Sequence, residues 1–212
     1  MANVIPPFNP NLPQAPDKYS RVSQEQHNNV LRLYFTQLTS AFRAVVGKAG
    51  GQHVDCPYGL FFSMVDHTLA AVNTGYPVEF ENTYLSNTVT RTSASRITCD
   101  VDGVYNFQFS GQLISTDASS KTAYIWLRRS GTNIGYSTHA YTISGTGTKQ
   151  EISWNFDIDM MSGQYLEIVF AGDSLGMKLG ATAATAPHPG IASAVMTVNF
   201  IAPLPVPLPT PP

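Results

Sequence analysis

Charge is scarce in this 212-residue chain. Asp, Glu, Lys and Arg make up 12% of it, about half the ~25% usual for soluble domains. A lone monomer would be poorly charged on its surface, so the shortage points to burial in an assembly. The formal net charge of -2 leaves no basic face for nucleic acid. Cysteine is almost missing: Cys56 and Cys99 are the two in the chain, which is no disulfide framework. No Asn-x-Ser/Thr acceptor occurs either. No run of about 18 apolar residues could span a bilayer. The start, MANVIPPFNPNLP, has neither the basic n-region nor the unbroken apolar stretch of an export signal. These absences fit a protein made and used without passing the secretory pathway, with neither nucleic acid nor membrane as a partner.

What is present is β-structure with surplus apolar surface. The chain is organised around Asp102 to Leu127, DGVYNFQFSGQLISTDASSKTAYIWL, which reads as two strands joined by a polar loop. In the first, Tyr105, Phe107 and Phe109 alternate with Asn106, Gln108 and Ser110, the two-residue period of a strand with one buried face. In the second, Tyr124 and Trp126 fall on one face and Ala123, Ile125 and Leu127 on the other, so neither face suits water. Around this pair, YGLFFSMV, YPVEF, NTVTR, SRITCDV, the hairpin RRSGTNIG, KQEISWNFDIDM, QYLEIVFAG, MKLGA and SAVMTVNFIA read as short strands between Gly, Ser, Thr and Asn separators. Nine or ten strands with no helical pattern between them predict an all-β sandwich or jelly roll.

Gly103, Tyr105, Phe107 and Phe109 stand as Gly-x-Tyr-x-Phe-x-Phe, which resembles the end of the signature of the complement 1q and tumour-necrosis-factor globular heads. The following YIWLRRSGTNIG is similar to the next strand and hairpin of that family. Ile97 stands where the family usually has Phe. The resemblance covers Tyr58 to Ala202. It implies a ten-strand jelly-roll sandwich that trimerises through aromatic strand faces and performs no catalysis. On this reading Tyr105, Phe107, Phe109, Tyr124 and Trp126 form the core and the trimer interface.

Two proline-rich ends flank this body. Pro6, Pro7, Pro10, Pro13 and Pro16 lie between Met1 and Lys18, and the last ten residues hold six more. Both ends are expected to be extended and without a core of their own. Between the first arm and the body the period changes. Ser23 with Gln26 makes a capping-box start, and Leu31, Tyr34, Leu38, Ala41 and Val45 recur at alternating three and four, flanked by Val30, Phe35 and Phe42. Gly47, Gly50 and Gly51 stop the helix. Such a stripe either packs on a sandwich or bundles with copies of itself. Its span, barely three heptads, is too short for a stable free coiled coil, which favours docking against neighbouring subunits. The expected organisation is a Pro-rich arm over 1–22, an anchoring helix and Gly linker over 23–51, a jelly-roll trimerisation domain over 57–202 and a Pro-rich tail over 203–212.

Chemistry is thinly represented. Gly172, Asp173, Ser174, Leu175 and Gly176 fit the nucleophile-elbow pattern, and the first four look like those of the Gly-Asp-Ser-Leu esterases. Yet no Asp or Glu follows Ser174, and the one later histidine, His188, sits between two prolines. The order Ser, acid, His therefore cannot be built, and a β-turn is the better reading. His53, Asp55 and Cys56, or Asp66 and His67 with His139, lack the spacing of metal ligands, so neither metal nor cofactor is expected. Tyr136, His139 and Tyr141 in GYSTHAYTISG are either an exposed loop for a glycan or receptor, or edge-strand residues covered by a neighbour.

The resulting expectation is a homotrimeric, non-enzymatic structural protein of a bacteriophage virion, assembled in the host cytoplasm. The similarity to phage decoration proteins and short fibres implies this setting. The trimer would act as capsid cement on the major capsid protein or another virion protein, attached through Pro6, Pro7, Phe8, Leu31, Tyr34 and Leu38. The alternative is a tail or head appendage whose jelly roll binds a host surface glycan, and a remote one is an esterase using Ser174.

Overall fold

The computed structural model describes residues 9–14, 17–46 and 56–204. The chain divides into two compact units, Met1–Asp55 and Cys56–Pro212. In the first, α1 runs from Arg21 to Val46. The sequence predicts a start at Ser23, but Ser20 is the cap: its hydroxyl accepts the Ser23 N–H at 3.4 Å, the N3 contact of an N-cap serine. Arg43 in the last turn complements the helix dipole. No helix among the described residues is long and apolar enough to cross a membrane.

Among the described residues the second unit holds fourteen strands. They are β1 (Tyr58–Ser63), β2 (His67–Thr68), β3 (Tyr76–Pro77), β4 (Asn82–Asn87), β5 (Val89–Arg91), β6 (Ile97–Cys99) and β7 (Gly103–Ser115). There follow β8 (Lys121–Arg129), β9 (Thr132–Asn133), β10 (His139–Ile143), β11 (Lys149–Met160), β12 (Tyr165–Gly172), β13 (Met177–Leu179) and β14 (Ala194–Ala202). The excess over the nine or ten expected comes from two- and three-residue pieces that continue the rows of longer strands. β13 and β14, for example, follow one another along the same edge of β7.

All the strand pairings are antiparallel. The first sheet reads β11-β7-β14-β1-β4 in rows and the second β10-β8-β12-β6-β5. Because β6, β7, β8, then β11, β12 and β14 alternate between the sheets, the chain winds as a jelly-roll sandwich and the fold is all-β. Its core is the inward side of the alternation: Phe61, Tyr105, Phe107, Leu113, Ile125, Leu127, Ile152, Phe170 and Val198 are at most 2% exposed. Gly103 opens β7 because a β-carbon there would overlap the Phe200 ring. The β8–β9 hairpin turns through Ser130 and Gly131, both at positive φ, which suits the twist of the strands it joins.

The chain enters the sandwich and leaves its last strand at one pole. The Phe200 N–H donates to the Pro57 carbonyl at 3.0 Å, and Asn87 donates to the Cys56 carbonyl at 3.0 Å. At the opposite pole a buried lysine joins the sheets. The Lys121 ammonium, with no side-chain exposure, donates to Ser115 Oγ at 2.9 Å, to the Asp117 carbonyl at 3.1 Å and to the Asp117 carboxylate.

Candidate assembly interface

The outer faces of the two sheets are finished differently. Over the middle of β7, β11 and β14 the outward residues are Asn106, Gln108, Ser110, Ser153, Asn155, Asp157, Val195, Thr197 and Asn199, opposite one another by register, while Lys149, Glu151 and Asp159 share the outward side of β11 toward its ends. Asn106 donates to Asp157 at 2.7 Å and Gln108 donates to Asn106 at 2.9 Å. The uncharged middle of this surface dips into a shallow depression of about 370 Å³ over Gln108, Ser110, Ser153, Asn155 and Thr197.

Apolar margins border it on both sides. On one side, Tyr58, Leu60 and Phe62 of β1 point outward, with Tyr84 and Leu85 of β4 beside them, 70% and 49% exposed. Tyr84 is the extra residue of a bulge where the register with β1 shifts between Leu60 and Phe61. On the other side an aromatic seam closes the gap between the sheets. His139 of β10 stacks on Trp154 of β11 at 5.1 Å and meets the edge of Phe156 at 5.8 Å. Trp154 in turn packs on Phe109 at 4.8 Å. His139, Tyr141, Trp154 and Phe156 are each half-buried. Burial raises the Tyr141 phenol above its ordinary pKa, and the Trp154 indole N–H is buried without an acceptor.

Tyr136 stands next to this seam, fully exposed and at a φ of 61°. Its loop is pinned by Ser137, whose hydroxyl accepts the Leu127 N–H at 3.0 Å and donates to the Ile134 carbonyl at 2.8 Å. Tyr136, Arg129, Phe156, Asp157 and Asp159 line a cleft of about 180 Å³. Of the three loop residues singled out from the sequence, Tyr136 alone projects into solvent, while His139 and Tyr141 face the seam.

The second sheet carries its own cover. Glu167, on the outward face of β12, is nearly buried and accepts from Arg96 at 3.2 Å and Ser95 at 3.2 Å, with Arg128 at 3.8 Å. Arg96 also lies over the Tyr165 ring at 4.4 Å. Trp126 donates its indole N–H to Asn133 at 2.9 Å, and a methyl group at Gly75 would come within 2.7 Å of its ring. Trp126 is thus sheltered by its own chain, where the sequence had suggested a neighbouring subunit. Tyr124, 37% exposed, shares that outward face. Tyr105, Phe107 and Phe109 are 0%, 2% and 3% exposed, so these three are core and are not available to a neighbour.

The remaining candidates resolve individually. Pro6, Pro7 and Phe8 lie outside the described residues, as do His53 and Asp55. On α1, Leu31 and Tyr34 are half-buried and Leu38 is 40% exposed. Ser174 sits in a turn between β12 and β13, not ahead of a helix, and its hydroxyl accepts the Gly176 N–H at 3.1 Å. His188 is engaged with the Pro189 carbonyl. Asp66 is held by Lys178 and by the Ala181 N–H, bonds that lower its pKa. His67 contacts Ser63 Oγ at 2.9 Å, and burial lowers its pKa. Among the described residues no three His, Cys, Asp or Glu gather into a metal-binding group. Cys56 and Cys99 are free thiols, and burial pushes Cys99 up to about 12.

No protein-family model matches this chain, and no curated protein matches it in sequence. A similar solved structure is the globular domain of zebrafish complement 1qA protein, at 16% sequence identity, covering 69% of this chain and 98% of that one with a TM-score of 0.44. The jelly-roll assignment stands on the strand order and pairing given above.

Proposed function

We propose that this chain is a non-enzymatic structural protein that assembles as a homotrimer and serves as a decoration or cement protein of a bacteriophage capsid. The observation that carries the assembly is the pair of unlike apolar margins on opposite sides of the first sheet. A dimer with twofold symmetry needs one self-complementary patch, whereas two different patches meet head to tail and form a ring when the rotation between neighbours closes. With the seam of one copy against the β1/β4 margin of the next, three copies bury the uncharged face between them. A stable junction of this kind needs roughly 1,200–2,000 Å² of buried surface.

The particle-coating role draws on the common pole of the sandwich's entry and exit. The chain enters the sandwich at Cys56 and leaves past Ala202 on the same side, so in a ring both points from which the flanking segments depart lie on one face. Cement of this kind works through added contact area across several capsid subunits, and no bond is made or broken. The test is particle integrity. Virions lacking the protein should release DNA at lower temperature or milder osmotic shock, and deletion of residues 1–18 should free the trimer. Full binding by the arm-deleted protein would falsify the attachment. A second reading is favoured by Tyr136, an aromatic ring wholly in solvent beside a small cleft: an appendage head that contacts a host glycan. It predicts that Tyr136→Ala abolishes adsorption while trimer mass and virion stability are unchanged.

A further inference from the structure

The α1 helix carries an apolar stripe along one side. Phe35, Leu38, Phe42 and Val45 are 56%, 40%, 67% and 42% exposed. Together with half-buried Leu31, Tyr34 and Ala41 they span about 120° of the circumference at 100° per residue. A two-stranded coiled coil needs only the narrow seam of a and d positions. Here Leu31, Leu38 and Val45 fall at a, Tyr34 and Ala41 at d, and Phe35 and Phe42 at e. The large aromatic side chains at e lie outside a two-helix seam and inside the wider contact of a bundle. The opposite face bears Arg32, Thr36, Ser40 and Arg43, interrupted by exposed Val22 and Leu33.

We propose that the occupants of this stripe are the α1 helices of the other two copies, packed as a parallel three-helix bundle. The inference rests on the homotrimer reading. Barely three heptads are too few for a free coiled coil, but nine residues, 47–55, separate α1 from the sandwich unit. Short tethers on an assembled ring hold the helices at roughly millimolar effective concentration, and association that is marginal between free chains becomes favourable. The helix is then a second trimerisation element, and particle attachment passes to the proline-rich ends.

The test uses the full-length protein with Cys56→Ser, leaving buried Cys99 in place, and adds either Leu38→Cys in the stripe or Ser40→Cys opposite it. Under mild oxidation at low protein concentration, Leu38→Cys should form covalent dimers within the trimer at least ~10-fold faster than Ser40→Cys, because the tether acts equally on both and packing brings only the stripe together. Native mass spectrometry is read in parallel. Trimer mass with equal or absent cross-linking overturns the bundle and leaves the trimer standing. Monomer mass overturns the trimer reading and the bundle with it.

Discussion

The two sheets of this sandwich face outward in opposite ways. The second is finished for water by its own chain. Glu167 is closed over by Arg96, Arg128 and Ser95, and Trp126 is tucked beside Gly75 and bonded to Asn133. On the first, the middle of β7, β11 and β14 offers amides and hydroxyls, with Lys149, Glu151, Asp157 and Asp159 toward the ends of β11, and apolar margins flank them. A polar but uncharged face loses less on dehydration than a charged one, because its groups can exchange water for one another. The uncharged middle of the first sheet, between its apolar margins, is therefore the part suited to cover.

The sharpest way to break this contrast is to place a carboxylate on each face. Phe62 is half-buried on the outer side of β1. Phe62→Glu would bury an unpaired charge at every junction of the ring, and even one such group costs several kcal/mol. The trimer should dissociate to monomer at micromolar concentration in sedimentation velocity. Tyr124→Glu, on the outer face of the second sheet, should leave the mass unchanged. If Phe62→Glu sediments as the unsubstituted protein does, the first sheet is not an interface.

How far the sequence reveals these faces depends on whether local period or tertiary encounter decides them. β7 is legible because Tyr105, Phe107 and Phe109 repeat at two, and their burial follows. β4 is not: NTYLSN lies along an edge where most positions face water, so no alternation marks it. The start of α1 illustrates a third case. Ser20 and Ser23 are equally good caps by type, and only the path of the backbone brings the Ser20 hydroxyl to the Ser23 N–H. Trp126 needed a cover, as its outward position implied, but that Gly75 supplies it depends on a segment fifty residues earlier. The seam is of the same kind. Trp154 and Phe156 alternate with Ser153, Asn155 and Asp157 in the sequence, which marks the dry side of β11, while their stacking on His139 exists only once the two sheet edges meet.

The next effect concerns what joins the two faces. The Asp117 carboxyl is lowered to about 2, first by its bond from Lys121 and then by Ser119, against roughly 3.9 for an unperturbed Asp. A depressed carboxyl stabilises the fold above its unfolded pKa, and the contribution is lost as pH falls through the folded value. Thermal stability should therefore drop between about pH 4 and pH 2. Asp117→Asn should remove that acid dependence. It should also destabilise the protein at neutral pH, since the buried Lys121 ammonium then lacks its counter-charge. An unchanged acid limb in differential scanning calorimetry would remove the pair from the account.

The smallest effect tests the water-finished side alone. Arg96→Met removes the guanidinium from Glu167 and from the Tyr165 ring. Arg96 is itself 48% exposed, so the ion pair is partly screened, and Ser95 and Arg128 still hold the carboxylate. A cost of about 1–2 kcal/mol follows, between an exposed pair and a charged hydrogen bond. At the usual size scaling this lowers Tm by about 2–8 °C. Trimer mass should stay the same, because this net closes a face that the ring leaves in solvent. Loss of the trimer in Arg96→Met would mean that both faces serve assembly, and the contrast between them would no longer separate an inner side from an outer one.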